Sequence, residues 1–133
     1  LAEEVRAAVL DSPMLDFGAT VDQGASQRKL PLGLPIPGIL TTLAKAISGT
    51  RFDIDWDGLD YVSRADELST PILLIHGDAD DRVPVETSDS LAGARPDLVQ
   101  YFRVVGADHV RGWNADPVAY EATGRDFLRG FGQ

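Results

Sequence analysis

The period of the apolar pattern changes along the chain, and each change marks an element. Ile72 to Ile75 is a continuous branched apolar run inside Pro71-Ile-Leu-Leu-Ile-His-Gly-Asp-Ala-Asp-Asp-Arg-Val-Pro84. Its length and branching predict a buried strand. The run stops at His76-Gly77 and passes into Asp78, Asp80 and Asp81. Pro84 then suits the first turn of a helix, which should run to about Ala92 and stop at Gly93-Ala-Arg-Pro96. Val5 to Leu10 predicts an earlier strand ending at the polar turn Asp11-Ser12-Pro13. Val99 to Val105 predicts a third, less buried because Gln100 and Arg103 interrupt it.

The segments between these strands follow a helical period. Ala19 to Leu30 reads as a helix weakened by Gly24. Leu40, Leu43, Ala44 and Ile47 fall at i, i+3, i+4 and i+7 and predict a helix ended by Gly49, with those side chains as its core face. The prolines of Pro31 to Pro37 exclude a helix interior or central strand. The leucines and Ile36 among them predict an apolar loop pressed against the fold. Phe52, Trp56 and Tyr61 in the acidic stretch after that helix are expected to pack on the sheet, and Val62 to Leu68 reads as a short turn or helix. Asp116-Pro117 is a strong helix start, with an acceptor at the N-cap and proline at the first helical position. Tyr120, Gly124, Phe127, Leu128 and Phe131 then line one face, with Tyr120 and Phe127 as core.

Strand and helix therefore alternate three times, which is the signature of an α/β fold with three parallel strands. Residues 1–133 form one domain, within which 17–69 is a lid-like helical insertion, longer than the dozen or so residues a plain crossover needs. Residues 70–133 carry the last strands, the acidic and histidine loops and the C-terminal helix. The net charge of −9 and the lack of clustered cations argue against a nucleic-acid surface. With no cysteine there is no disulfide, thiol nucleophile or thiolate metal site. No apolar run approaches the ~18 residues of a membrane span, so no membrane contact is expected within this chain. The first residues do not resemble a signal peptide and read like the middle of a protein. The compartment is left open, with the cytoplasm favoured.

Two strands end in ionisable groups, Asp80 after the second and His109 after the third, 29 residues apart. In a right-handed βαβ unit such strand ends are neighbours on one rim, where open α/β sheets place their ligands. A carboxylate on one imidazole nitrogen fixes the tautomer and leaves the other nitrogen as a general base. The plainer reading of Asp80 is a turn carboxylate capping the following helix, and that of His109 a surface histidine. Asp78 and Asp81 read as turn-forming or solvated residues, and His76 as a structural residue packing or bonding backbone at the strand end. Asp11 and Ser12 either line a pocket or simply form the strand-end turn. Asp53-Ile-Asp55-Trp-Asp57-Gly58 matches the first half of a calcium loop, but its twelfth position is Arg64 where a bidentate Glu belongs. It is read as an acidic loop, with a calcium-stabilised binding domain as a remote alternative and no metal assigned.

His76-Gly-Asp-Ala-Asp80-Asp-Arg-Val-Pro84 resembles the acid loop of the α/β-hydrolases, and Gly106-Ala-Asp-His109 resembles their histidine loop. The stretch Trp113 to Pro117 is similar to that of a bacterial serine-hydrolase subgroup of esterase or peptidase type, and Leu10 to Pro13 to the end of the family's sixth strand. The resemblance implies that Asp80 is the triad carboxylate and His109 the triad base, that no cofactor is needed, and that the helix carrying Leu40, Leu43 and Ile47 also walls an acyl pocket. The family's nucleophile elbow, Gly-x-Ser-x-Gly between a strand and a helix, has no counterpart. Its nearest match, Gly24-Ala-Ser26-Gln-Arg28, lacks the strand and the last glycine. The resemblance therefore implies the C-terminal portion of a serine hydrolase of small esters, amides or peptides, inactive alone. Its Val5 to Leu10 edge would await the missing N-terminal half or another copy of the chain. The alternative is a non-catalytic half-hydrolase module that binds another chain through that edge.

Overall fold

The computed structural model describes residues 5–132. Strands β1 (Ala8–Asp11), β2 (Ile72–Gly77) and β3 (Val99–Val104) form a parallel sheet in the order β1-β2-β3. Ala8 pairs with Ile72, and Ile72 with Val99. Helices α1 (Phe17–Ser26) and α2 (Gly38–Phe52) lie between β1 and β2, and α3 (Val85–Ala94) joins β2 to β3. A short helix α4 (Gly112–Ala115) and the longer α5 (Pro117–Arg129) follow β3. The expected α/β class is what the chain adopts.

β2 is the centre of the molecule, and every one of its residues is buried. Side chains alternate across a strand, so β2 feeds two cores. Ile72 and Leu74 pack with Leu15, Ala65, Leu91 and Val99. Leu73 and Ile75 pack with Val104, Ala107 and Phe127 on the other side. Each buried aliphatic side chain contributes about 1.5–3 kcal/mol. Tyr120 is only partly buried against the second core, while Leu128, expected on the same face, is half exposed.

Boundaries differ from the expected ones for local reasons. β1 starts at Ala8, whose N–H donates to Pro71 O at 2.9 Å; Val5 precedes the ladder and is exposed. α1 starts at Phe17 because Asp16 caps it, accepting from Ala19 N–H at 2.8 Å. It ends at Ser26, short of Leu30, which is extended before Pro31 as residues preceding proline prefer. Gly49 does not end α2. The left-handed residue there is Asp53, with φ 56°, and Gly49 lies under the Trp56 ring, 3.4 Å from where its Cβ would be.

Four side-chain expectations are corrected. Leu40, Leu43 and Ile47 are 45%, 51% and 63% exposed, so the apolar face of α2 is not core. The Pro31 to Pro37 segment does not press on the fold through its leucines: Leu32 is 96% and Leu34 57% exposed. Phe52 and Tyr61 are also largely exposed. Trp56 packs on α1, not the sheet: its ring stacks on Phe17 at 5.4 Å and its N–H donates to Lys45 O at 2.9 Å. Trp56 thus ties α2 to α1.

Candidate active site

The carboxyl ends of β2 and β3 meet because β2 ends in glycine. A Cβ on Gly77 would stand 2.1 Å from Ala107 O, so only a residue without one lets the two loops approach. Asp78 and Ala79 donate their N–H groups to Val104 O and Ala107 O, both at 3.0 Å. Asp78 returns the contact, its Oδ1 accepting from Gly106 N–H at 2.6 Å. Gly106 has φ +72° and supplies the turn out of β3. Asp78 is therefore the clamp between the two loops, through a bond to a residue 28 positions away and not the local turn expected of it.

Asp80 sits inside the clamp with its side chain fully buried. Its Oδ1 accepts from the N–H groups of Arg82 and Val83, each at 2.9 Å. Its Oδ2 faces His109 Nδ1 at 2.9 Å and His76 Nε2 at 3.1 Å. A carboxylate offers about four acceptor positions, and here four donors fill them. Burial pushes the Asp80 carboxyl up, but the Val83 N–H, His109 and the Arg82 N–H outweigh it and hold the group below its usual value. Asp80 forms the turn to Arg82 and Val83 and also meets His109, but it does not cap α3, whose N-cap is Pro84 with no side-chain acceptor.

His109 is held from three sides. Its N–H donates to Asp108 Oδ1 at 2.7 Å, its Nδ1 meets Asp80, and the next residue, Val110, donates to Ser12 Oγ at 3.2 Å. Ser12 is buried at the end of β1, so the β1 turn braces the histidine loop. Asp11 holds the other side, its Oδ2 accepting from the Tyr120 hydroxyl at 3.0 Å. Burial and then Asp11 push the Tyr120 hydroxyl above its usual value. The His109 side chain is one-quarter exposed, and among the described residues its Nε2 has no protein partner. Nδ1 is thus the ring nitrogen that faces the carboxylate.

His76 departs from its expected role. It is fully buried, and it bonds side chains and not backbone: Asp80 through Nε2 and Ser88 Oγ through Nδ1 at 2.6 Å. The strand alternation gives the face of His76 but not its partner. Positions 72, 74 and 76 share the β2 face covered by α3, and Ser88 lies one turn before the buried Leu91 on that helix.

Asp80, Asp81 and Asp108 each place one carboxylate oxygen within 4.8 Å of the others. Asp81 and Asp108 are exposed, and the oxygens of Asp80 are engaged by its four donors. In the calcium-like loop Asp55 Oδ1 accepts from Gly58 N–H at 3.0 Å, which is a local turn. Ser26 stands at the exposed end of α1, its hydroxyl donating to Gln23 O at 2.7 Å, and has no elbow geometry. α1 reaches the acid loop through Gln23 Nε2, 3.4 Å from Asp80 O, and through Gln27, which donates to Asp81 O. A groove of about 630 Å³ opens beside this contact, lined by Val21, Ala25, Arg28, Ile36 and Arg82 among others; Leu40, Leu43 and Ile47 do not line it.

No protein-family profile matches the chain. No curated protein matches it either. Three crystal forms of the esterase Pf2001 from Pyrococcus furiosus share its fold, with TM-scores of 0.61, 0.60 and 0.59 at 19%, 20% and 21% identity. The likeness covers 96%, 96% and 92% of this chain and 45%, 46% and 44% of the esterase chain. The chain therefore spans less than half the length of these structures.

Proposed function

We propose that the chain is the C-terminal, acid-and-base portion of a serine hydrolase that cleaves a carboxylic ester, amide or peptide bond through an acyl-enzyme. The observation that carries this is His109 Nδ1 at 2.9 Å from the buried Asp80 carboxylate, with Nε2 turned to the surface. The esterase activity named for the structural neighbours supports the same reaction class. In this reading Asp80 orients His109 and stabilises its charged form. His109 Nε2 takes the proton of a serine hydroxyl as that oxygen adds to the substrate carbonyl. It returns the proton to the leaving alkoxide or amine as the acyl-enzyme forms, then takes one from the water that adds to the acyl carbon and passes it to the serine oxygen as that bond breaks and the acid is released.

Residues 17–69 are the lid-like insertion, and the groove at Val21, Ala25 and Ile36 is the apolar wall nearest the acid loop. The serine and the oxyanion donors come from polypeptide outside this sequence, joined to the sheet at the free edge of β1. A fluorophosphonate probe, which labels activated serines, tests the reading. The isolated chain should stay unlabelled. A longer protein containing it should be labelled at one serine, and His109→Ala or Asp80→Asn in that protein should lower hydrolysis by about 10³–10⁴-fold. A longer protein that takes no label would overturn the hydrolase assignment. It would favour the second reading, a non-catalytic module that docks through β1, for which the edge of β1, unpaired among the described residues, is the supporting observation.

A further inference from the structure

The buried histidine behind the acid is used by neither the fold's apolar packing nor the triad. We propose that His76 is a positioning residue that shares Asp80 Oδ2 with His109 and so sets how strongly that oxygen holds the His109 N–H. Its catalytic consequence rests on the hydrolase reading, but the sharing itself does not.

The argument starts from hydrogen-bond inventory. Asp80 Oδ2 is 3.1 Å from His76 Nε2 and 2.9 Å from His109 Nδ1. An ionised carboxylate only accepts, so both nitrogens carry protons. His76 Nδ1 is 2.6 Å from Ser88 Oγ. In this proposal the Ser88 hydroxyl is the donor to that nitrogen, which makes His76 the Nε2–H tautomer. All three side chains in this relay, Ser88, His76 and Asp80, are buried. Among the described residues no buried side-chain N or O atom lacks a partner.

One oxygen divided between two N–H donors holds each less tightly than it would hold one. His76 therefore weakens the grip of Asp80 Oδ2 on the His109 N–H. The other carboxylates close to Asp80 are those of Asp81 and Asp108, both exposed. They are common to wild type and variants, so a difference between them reports His76.

The chain contains two histidines, so nitrogen-15 imidazole spectra of the isolated 133-residue chain resolve both. In wild type at neutral pH, His76 should show a protonated Nε2 and an unprotonated Nδ1. In His76→Leu the His109 Nδ1–H proton should move downfield, because an undivided carboxylate oxygen holds it more tightly. His76→Gln, which keeps a side-chain N–H, should restore part of the wild-type value. An unchanged His109 Nδ1–H resonance in a folded His76→Leu overturns the proposal. If that variant does not fold, wild type decides. A His76 that carries its proton on Nδ1 overturns it equally. These spectra need no substrate and no nucleophile, so they fail or succeed separately from the probe-labelling experiment.

Discussion

Asp80 is where burial and charge oppose each other most directly. Four donors keep it ionised inside the protein, and its carboxyl is held below the usual 3.8. A depressed folded value means that the folded state binds fewer protons than the unfolded one, so stability rises with pH through that range. The contribution is fully present above about pH 4 and is lost as pH falls through the lower folded value. Asp80→Asn removes this linkage. Denaturation profiles should show wild type more stable than the variant at neutral pH, with the gap closing below pH 4. A gap of constant size down to pH 2 would mean that Asp80 gains nothing from its charge. Gly77 offers a steric counterpart. The methyl of Gly77→Ala would meet Ala107 O at 2.1 Å and Ala107 C at 2.6 Å, both rigid backbone atoms. The variant should lose about 2–3 kcal/mol in urea denaturation. The His109 imidazole resonances should also shift, because the displaced loop carries that residue.

At the scale of elements, the sequence was most readable where one short segment determines its own surroundings. Ile72 to Ile75 had to be a central strand, and Asp116-Pro117 had to start a helix: Asp116 accepts from Ala119 N–H at 2.9 Å in α5. The meeting of Asp80 with His109 followed from strand order and spacing alone. What was not readable depended on distant partners. The apolar period of α2 is real, but nothing among the described residues covers Leu40, Leu43 and Ile47, because α2 is held to α1 from its other side by Trp56 and by the Lys45–Asp22 ion pair at 2.7 Å. The Ser88 contact to His76 needed the rotation of α3 over β2, which no local pattern gives. These differences predict opposite mutational outcomes. Leu43→Glu should change stability by no more than about 0.5 kcal/mol, as at an exposed site. Leu91→Ala, in the core under α3, should cost about 2–5 kcal/mol. A Leu43→Glu variant that melts as early as Leu91→Ala would show that α2 is covered in solution.

For the whole molecule, the sheet edge at β1 bears on how it associates. Among the described residues the sheet ends there, and Val9 on that strand is 42% exposed. The Ala8 and Ser12 N–H groups donate to Pro71 O and Ile75 O at 2.9 Å each. Backbone groups alternate along a strand, so Leu10 points its N–H the same way and Val9 points its own outward. An exposed row of such groups on a short apolar strand is a template for another chain. β1 carries no proline, and its one charge, Asp11, is held by the Tyr120 hydroxyl at 3.0 Å. Val9→Pro removes one outward donor and leaves the bonds to β2 intact, because proline lacks only its own N–H. Sedimentation velocity over a concentration series should show wild type associating and Val9→Pro remaining monomeric, with unfolding free energies that differ by about 1 kcal/mol or less. Wild type that stays monomeric at its highest soluble concentration would mean that the edge is protected in the isolated chain. Association that persists in Val9→Pro would move the contact to another surface, of which the exposed face of α2 is the largest apolar candidate on that helix.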